Sequence, residues 1–388
     1  MIAAALAPAL PPLLQRPLRV MVVDDAIVVR GLIARWLQEQ PDFEVGAVLR
    51  TGAEAVTQFD AVQPDVVILD VEMPDMDGLA ALPLLLAKKP DLVVIMASTA
   101  TRRNAEVSLK ALSLGAADYI AKPETLRGLT VSAEFRGELV EKVRALGRAR
   151  RTRASAPAAG MTGIGAPGML RPLPLDATAA GGSGGYALRP FGSRIPRALL
   201  IGASTGGPQA LATLLCGLGT LPDRVPVLVV QHMPRTFTTI LAEHLSATAG
   251  RVVREPQDGE PVAAGTIYVA PGGLHMRLVR NDGQVAIRLD DSAPINFCKP
   301  AVDPLFASAS AAWSGAVLAV LLTGMGADGT RGAQEIVAAG GSVIAQDEAS
   351  SVVWGMPGSA AHAGLCAAVL PLDAIAPNIV RQFPGDVA

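Results

Sequence analysis

Cysteine is scarce: only Cys216, Cys298 and Cys366 occur in 388 residues. An odd number, scattered without ligand spacing, excludes a disulfide framework and a zinc site and fits a reducing cytoplasm. Half the residues are hydrophobic, yet no apolar run reaches the roughly 18 residues a membrane span needs. A formal net charge of -2 gives no global attraction to nucleic acid. The first 17 residues are apolar and alanine-rich but lack a basic start, and Pro8, Pro11 and Pro12 interrupt them. They read as a disordered extension rather than a signal peptide. Histidine is nearly as rare as cysteine. The four present, His232, His244, His275 and His362, are a short list of possible general bases.

From Leu18 to about Ala149, apolar runs alternate with helical periodicity. Strands are expected at Leu18–Val23, Phe43–Leu49, Val66–Leu69, Leu92–Met96 and Tyr119–Ile120. Helices are expected near Val28–Leu37, Ala53–Val62, Leu79–Lys89, Arg102–Leu114 and Glu134–Ala149. Five β/α units of this length predict a doubly wound parallel sheet with its site at the strand C-termini. The strand ends carry polar residues: Asp24-Asp25, then Asp70, then Ser98-Thr99, then Lys122-Pro123. Three carboxylates at one sheet edge repel one another unless a hard cation sits among them, and Mg²⁺ with oxygen ligands fits. A hydroxyl and an ammonium opposite could hold the oxygens of a phosphoryl group on Asp70. The competing reading is that the acids merely cap helices.

These residues resemble the receiver domain of two-component response regulators, a flavodoxin-like (βα)5 fold. The resemblance makes Asp70 the phosphoacceptor. It assigns Asp24, Asp25, Asp70 and the backbone carbonyl of Glu72 to Mg²⁺, Ser98 and Lys122 to the phosphoryl group, and Tyr119 to the switch aromatic. It also implies a histidine kinase as phosphodonor.

Lys142–Arg153 holds six basic residues and no acid. It could touch nucleic acid, but it also reads as the solvated end of a final helix. Ala154–Pro190 is rich in Ala, Gly and Pro and reads as a flexible linker. The expected divisions are therefore 1–17, 18–150, 151–193 and 194–388.

The last segment opens with A-L-L-I-G-A-S-T-G-G-P at Ala198–Pro208. A buried strand, a turn of small residues around Ser204 and a helix after Pro208 match the context of a G-x-S-x-G nucleophile elbow, although a phosphate-binding glycine loop would be spelled similarly. Val225–Val230 runs into Gln231-His232-Met233-Pro234. A β-rich insertion is expected around Val252–Leu289. Ala316–Leu322 runs into T-G-M-G-A-D-G, ending at Gly329, and a helix follows from Thr330. If these three strands lie side by side, Ser204, His232 and Asp328 meet at one edge as nucleophile, base and orienting acid. The order Ser…His…Asp differs from the Ser…Asp…His of α/β-hydrolases. His275 competes as base, and Asp258, Asp303 and Asp347 compete as acid. Backbone N–H groups near Thr205 or Met325 could hold an oxyanion.

Together, I-G-A-S-T-G-G-P, Q-H-M-P, L-T-G-M-G-A-D-G and W-G-M-P resemble the catalytic domain of CheB-type chemotaxis methylesterases, an α/β domain with a mostly parallel sheet. The resemblance implies hydrolysis of glutamyl methyl esters on methyl-accepting chemotaxis receptors and deamidation of receptor glutamines. No cofactor is expected for ester hydrolysis, and neither nucleic acid nor membrane insertion is expected. The alternative is a non-enzymatic response regulator whose C-terminal part binds a partner or DNA, although no helix-turn-helix pattern follows the basic run.

Overall fold

The computed structural model describes residues 16–122, 132–155 and 185–384. The expected extension and most of the expected linker lie outside them. In the N-terminal part, strands β1 (Leu18–Val23), β2 (Phe43–Leu49), β3 (Val66–Asp70), β4 (Val93–Thr99) and β5 (Asp118–Lys122) alternate with helices. The helices are α1 (Ile27–Gln38), α2 (Gly52–Val62), α3 (Gly78–Lys88), α4 (Arg102–Ser113) and α5 (Ser132–Ser155). The strands form one parallel sheet in the order β2-β1-β3-β4-β5. β3 is buried along its whole length, which is why it reads as a continuous apolar run rather than an alternating one. Three of the helices are capped by side chains. Thr51, Asp77 and Thr101 accept from the backbone N–H of Glu54, Ala80 and Asn104, contacts that typically contribute about 1 kcal/mol each.

Helix α5 runs past the boundary expected at residue 150. Its basic residues are not simply solvated. Arg144 and Arg148 meet Asp42, Lys142 meets Asp118, and Arg151 meets Asp65 at 2.6 Å. With Arg150 paired to Asp91, five of the six basic residues clamp acids of this same part of the chain.

In the C-terminal part the strands are β6 (Leu199–Ala203), β7 (Val227–Gln231), β8 (Val253–Arg254), β9 (Ile267–Val269), β10 (His275–Asn281), β11 (Gln284–Asp290), β12 (Leu318–Leu321), β13 (Ser342–Gln346) and β14 (Ala368–Leu370). The helices are α6 (Gly207–Gly217), α7 (Leu221–Arg224), α8 (Arg235–Ala249), α9 (Val302–Ala312), α10 (Thr330–Ala338), α11 (Met356–His362) and α12 (Leu372–Gln382). Seven strands form a parallel sheet in the order β14-β13-β12-β6-β7-β9-β8. The expected β-rich insertion is thus divided. β8 and β9 join the main sheet, and only β10 and β11 stand apart as a hairpin, turning at Asp282 (φ 47°) and Gly283 (φ 83°). Positive φ at both turn residues is what a two-residue hairpin requires.

The two parts touch. Helix α4 packs against α8 and α6, the helices that leave the C-termini of β7 and β6. The rings of Tyr119 and Phe237 stack with centroids 4.3 Å apart. The side-chain amide of Gln209 donates to the carbonyls of Leu112 and Ala116, and Arg102 pairs with Glu243 at 2.7 Å. Apolar side chains from both parts, Leu112 and Tyr119 with Leu211 and Phe237 among them, belong to one buried cluster.

Candidate active site

β12, β6 and β7 are neighbours in the sheet, so the loops at their C-termini open on one edge. Ser204 follows β6 in a turn completed by Gly206 at φ +76°. Gly207 sits so close to Gln231 that a Cβ there would lie 1.9 Å from its Oε1. The Ser204 N–H donates to the carbonyl of Thr323 (3.0 Å), and its own carbonyl accepts from the Gln231 amide (2.8 Å). Gly324 stands directly beside it. A Cβ at Gly324 would come 2.8 Å from the Ser204 Cβ and 2.5 Å from Met356 Sδ. The fourth motif explains itself here, since the N–H groups of Gly355 and Met356 both donate to the Gly324 carbonyl. The Trp354 indole N–H donates to the carbonyl of Gln346 and braces that loop. Among the described residues the Ser204 hydroxyl itself makes no hydrogen bond.

His232 follows β7, and its N–H donates to the carbonyl of Ala203 (3.1 Å), which ties the second strand end to the first. Its Nε2 lies 2.7 Å from Asp328 Oδ2. The second ring nitrogen, Nδ1, is 3.4 Å from Cys298 Sγ. Asp328 is buried, and its carboxylate has more partners than the imidazole. Oδ2 accepts from the N–H of Val302 (2.6 Å), and Oδ1 accepts from the N–H of Asp303 (3.1 Å) and Gly329 (2.9 Å). Those first two amides open helix α9, so Asp328 serves as its cap from another part of the chain.

Burial raises the Asp328 pKa, but the His232 hydrogen bond and charge and the two helix amides outweigh it and hold the carboxylate below its ordinary value. For His232, burial acts downward and the bonds from Asp328 and Cys298 act upward. The net result is an imidazole that keeps its proton above the usual range.

The rivals lie elsewhere. His275 is fully buried, its Nδ1 accepting from the Ala301 N–H and its Nε2 lying 3.2 Å from the Ala293 carbonyl. It ties two loop segments together. Asp303 accepts from the Gly332 N–H, Asp347 from Ser350, and Asp258 from the N–H of Leu289. Thr205 is buried, with its carbonyl accepting from the Thr323 hydroxyl. Met325 is half-buried in the loop after β12.

At the C-terminal edge of the first sheet, single oxygens of Asp24, Asp25 and Asp70 lie within 4.8 Å of one another. Lys122 Nζ bridges Asp24 (2.7 Å) and Asp70 (2.6 Å). Desolvation raises the Asp70 pKa to about 6, with Lys122 opposing it and the charges of Asp24 and Asp25 adding to it. A cavity of about 340 Å³ opens above, lined in part by Asp25, Asp70, Glu72, Thr99 and Lys122. The register Asp70↔Ala97 and Thr99↔Lys122 puts Thr99 on the carboxylate face. Ser98 is one residue out of phase, so it points to the other face, where its hydroxyl lies 2.9 Å from that of Ser108. The hydroxyl beside Asp70 is therefore that of Thr99 rather than Ser98.

Comparison with known proteins agrees with both halves. The response regulator receiver domain matches residues 20–134, and the CheB methylesterase family matches residues 199–379. A protein-glutamate methylesterase/protein-glutamine glutaminase of Nitrobacter hamburgensis is 60% identical over 372 residues, 96% of each chain. One of Rhodopseudomonas palustris is 59% identical over 389 residues, 99% of each. The crystal structure of the Thermotoga maritima CheB methylesterase catalytic domain is 41% identical, with a TM-score of 0.47, covering 48% of this chain and 98% of that one. Since the likeness runs through receiver, linker and catalytic segment alike, the chain belongs to the CheB methylesterase family.

Proposed function

We propose that the protein hydrolyses glutamyl methyl esters on methyl-accepting chemotaxis receptors and deamidates receptor glutamines, under control of phosphorylation at Asp70. The observation that carries this reading is the Asp328–His232 pair standing at the strand edge where Ser204 turns out of β6. Asp328 fixes the proton on Nε2 of His232 and leaves Nδ1 to take the proton of Ser204. The serine oxygen then attacks the ester carbonyl, methanol leaves with the proton that His232 returns, and water releases the acyl group by the same exchange. Backbone N–H groups of Thr205 and Met325 would face the oxyanion. This ester chemistry requires no cofactor.

In the receiver the oxygen-only donor set suits Mg²⁺, which Asp24, Asp25, Asp70 and the carbonyl of Glu72 would hold and which would offset charge on the phosphoryl oxygens. Lys122 and Thr99 would hold those oxygens from the other side. A histidine kinase supplies the phosphoryl group. Three free, scattered cysteines suit a reducing compartment such as the cytoplasm, and no described helix is long and apolar enough to cross a membrane.

The test is methanol release from methylated receptor membranes, with and without a small phosphodonor. Release that rises with the phosphodonor is expected; no release in either condition leaves the non-enzymatic alternative.

The acid has its own signature. His232 must be neutral to act as base, and Asp328 holds its pKa up. The acid limb of the kcat/KM profile therefore lies above the ordinary imidazole value of about 6.5. In Asp328→Asn the limb should move to lower pH while the plateau drops by about 10²-fold or more. A limb that stays in place would remove His232 from the base role.

A further inference from the structure

Between β11 and α9 the chain makes a two-residue turn whose tip is the most exposed of the large apolar side chains among the described residues. Ile295 and Cys298 pair as an antiparallel bridge through two backbone hydrogen bonds, Ile295 N–H to the Cys298 carbonyl (3.1 Å) and the reverse (2.8 Å). The turn residues Asn296 (φ 50°) and Phe297 (φ 64°) are both left-handed. Asparagine tolerates that conformation and glycine prefers it, whereas an aromatic side chain there is strained. The ring gains nothing inside the molecule in return, because Phe297 is 95% exposed. An exposed aromatic held at a strained position, where glycine would cost less, points to a role outside the fold.

The position of the turn says what that role concerns. The next residue, Cys298, puts its Sγ 3.4 Å from Nδ1 of His232. On the far side Lys299 Nζ donates to the Asp291 carbonyl (3.1 Å), so the base of the loop is fastened. A few residues on, Val302 and Asp303 hold Asp328. The ring therefore stands on a braced support, one residue from the thiol that touches the base and outside the catalytic groups themselves.

We infer that Phe297 is an anchor for the macromolecular substrate, packing its ring on an apolar side chain of the receptor helix about one turn from the esterified glutamate. This rests on the reading of the substrate given above. A glutamyl ester on a helix surface reaches Ser204 only if the helix lies across the strand edge. The residues three and four positions away then face the same surface as the ester. One exposed aromatic, adjacent in the chain to the thiol that touches His232, is the residue type that such interfaces use as an anchor.

The experiment compares wild type, Phe297→Ala and Phe297→Gly as full-length, phosphodonor-activated proteins on two substrates: methylated receptor membranes and a small soluble glutamyl methyl ester. The ratio of kcat/KM for receptor to that for the small ester should fall about 10-fold in both variants, carried by KM. Phe297→Gly should also melt no lower than wild type, since glycine relieves the turn. A variant that loses both substrates in proportion would show the loop to be only a support for His232 and would overturn the inference. An unchanged ratio would overturn it too. If wild type cleaves the small ester and leaves the receptor ester intact, the substrate reading fails and this inference fails with it. If wild type cleaves both and the ratio does not move, the role of Phe297 alone fails.

Discussion

Replacing Ser204 by alanine should lower methanol release by about 10³-fold or more while leaving a folded protein. The change removes one oxygen that makes no hydrogen bond among the described residues. The ties that shape the turn, Ser204 N–H to Thr323 and the Gln231 amide to the Ser204 carbonyl, belong to the backbone and survive. His232→Ala should lose as much, and the double variant should be little worse than either single change, because nucleophile and base act as one unit. Circular dichroism would establish folding, and the rate would be read on receptor membranes. A folded Ser204→Ala protein that keeps more than about a tenth of the rate would remove the serine from the mechanism. Additive losses in the double variant would mean that serine and histidine work separately.

Asp70→Asn should abolish Mg²⁺-dependent labelling by a small phosphodonor and hold ester hydrolysis at its unstimulated level. The buried carboxylate beside it is already engaged. Asp24 is tied by its own Oδ1 to the N–H of Ala26 and by its other oxygen to Lys122. The pH dependence of labelling gives a second check. Asp70 attacks phosphorus as the carboxylate, and desolvation has raised its pKa to about 6. At fixed low Mg²⁺, labelling should therefore fade as pH drops through about 6, well above the ordinary aspartate value of about 3.9. Raising Mg²⁺ should move that midpoint down, since a divalent cation favours the charged form. Labelling that persists in Asp70→Asn would place the phosphoacceptor elsewhere. Hydrolysis that still responds to the phosphodonor would detach the receiver from control of the catalytic part.

The structure gives that control a path. Helix α4 of the receiver rests on α6 and α8, which are the first elements after Ser204 and His232. Tyr119 lies on Phe237 in the first turn of α8. These contacts join the receiver to the helices that follow the nucleophile and the base, and a coupling of a few kcal/mol is the usual size for such control.

What the sequence discloses about this arrangement follows the reach of its signals. Buried parallel strands read as apolar runs, so β1, β3 to β7 and β12 are visible, as are the polar residues at their ends, while the half-buried β2 shows through its β-branched and aromatic residues. β14 spans only Ala368–Leu370, too short for a periodic signal. That Asp70 has Thr99 rather than Ser98 as neighbour depends on register, which two adjacent hydroxyls in a row cannot disclose. Cys298 reaches His232 across 66 positions through a loop with no regular pattern, so nothing local marks it. Five residues of the basic run of α5 pair with Asp42, Asp65, Asp91 and Asp118, acids from separate parts of the receiver. Their proximity is a product of tertiary packing. The stack of Tyr119 on Phe237 belongs to the docking of two domains, which neither domain's own periodicity encodes.

The three backbone amides held by Asp328 bear on how other chains of this kind should be read. A gene copy that drifts free of selection for catalysis can lose the Ser204 hydroxyl at little cost to folding, whereas loss of the His232 imidazole would leave the buried Asp328 carboxylate without its charged partner. The acid is different, because the start of α9 and the turn at Gly329 both depend on it. Selection for a merely folded protein would preserve it. An aspartate at this position therefore testifies to an intact scaffold, and of the three residues the serine testifies to a working enzyme.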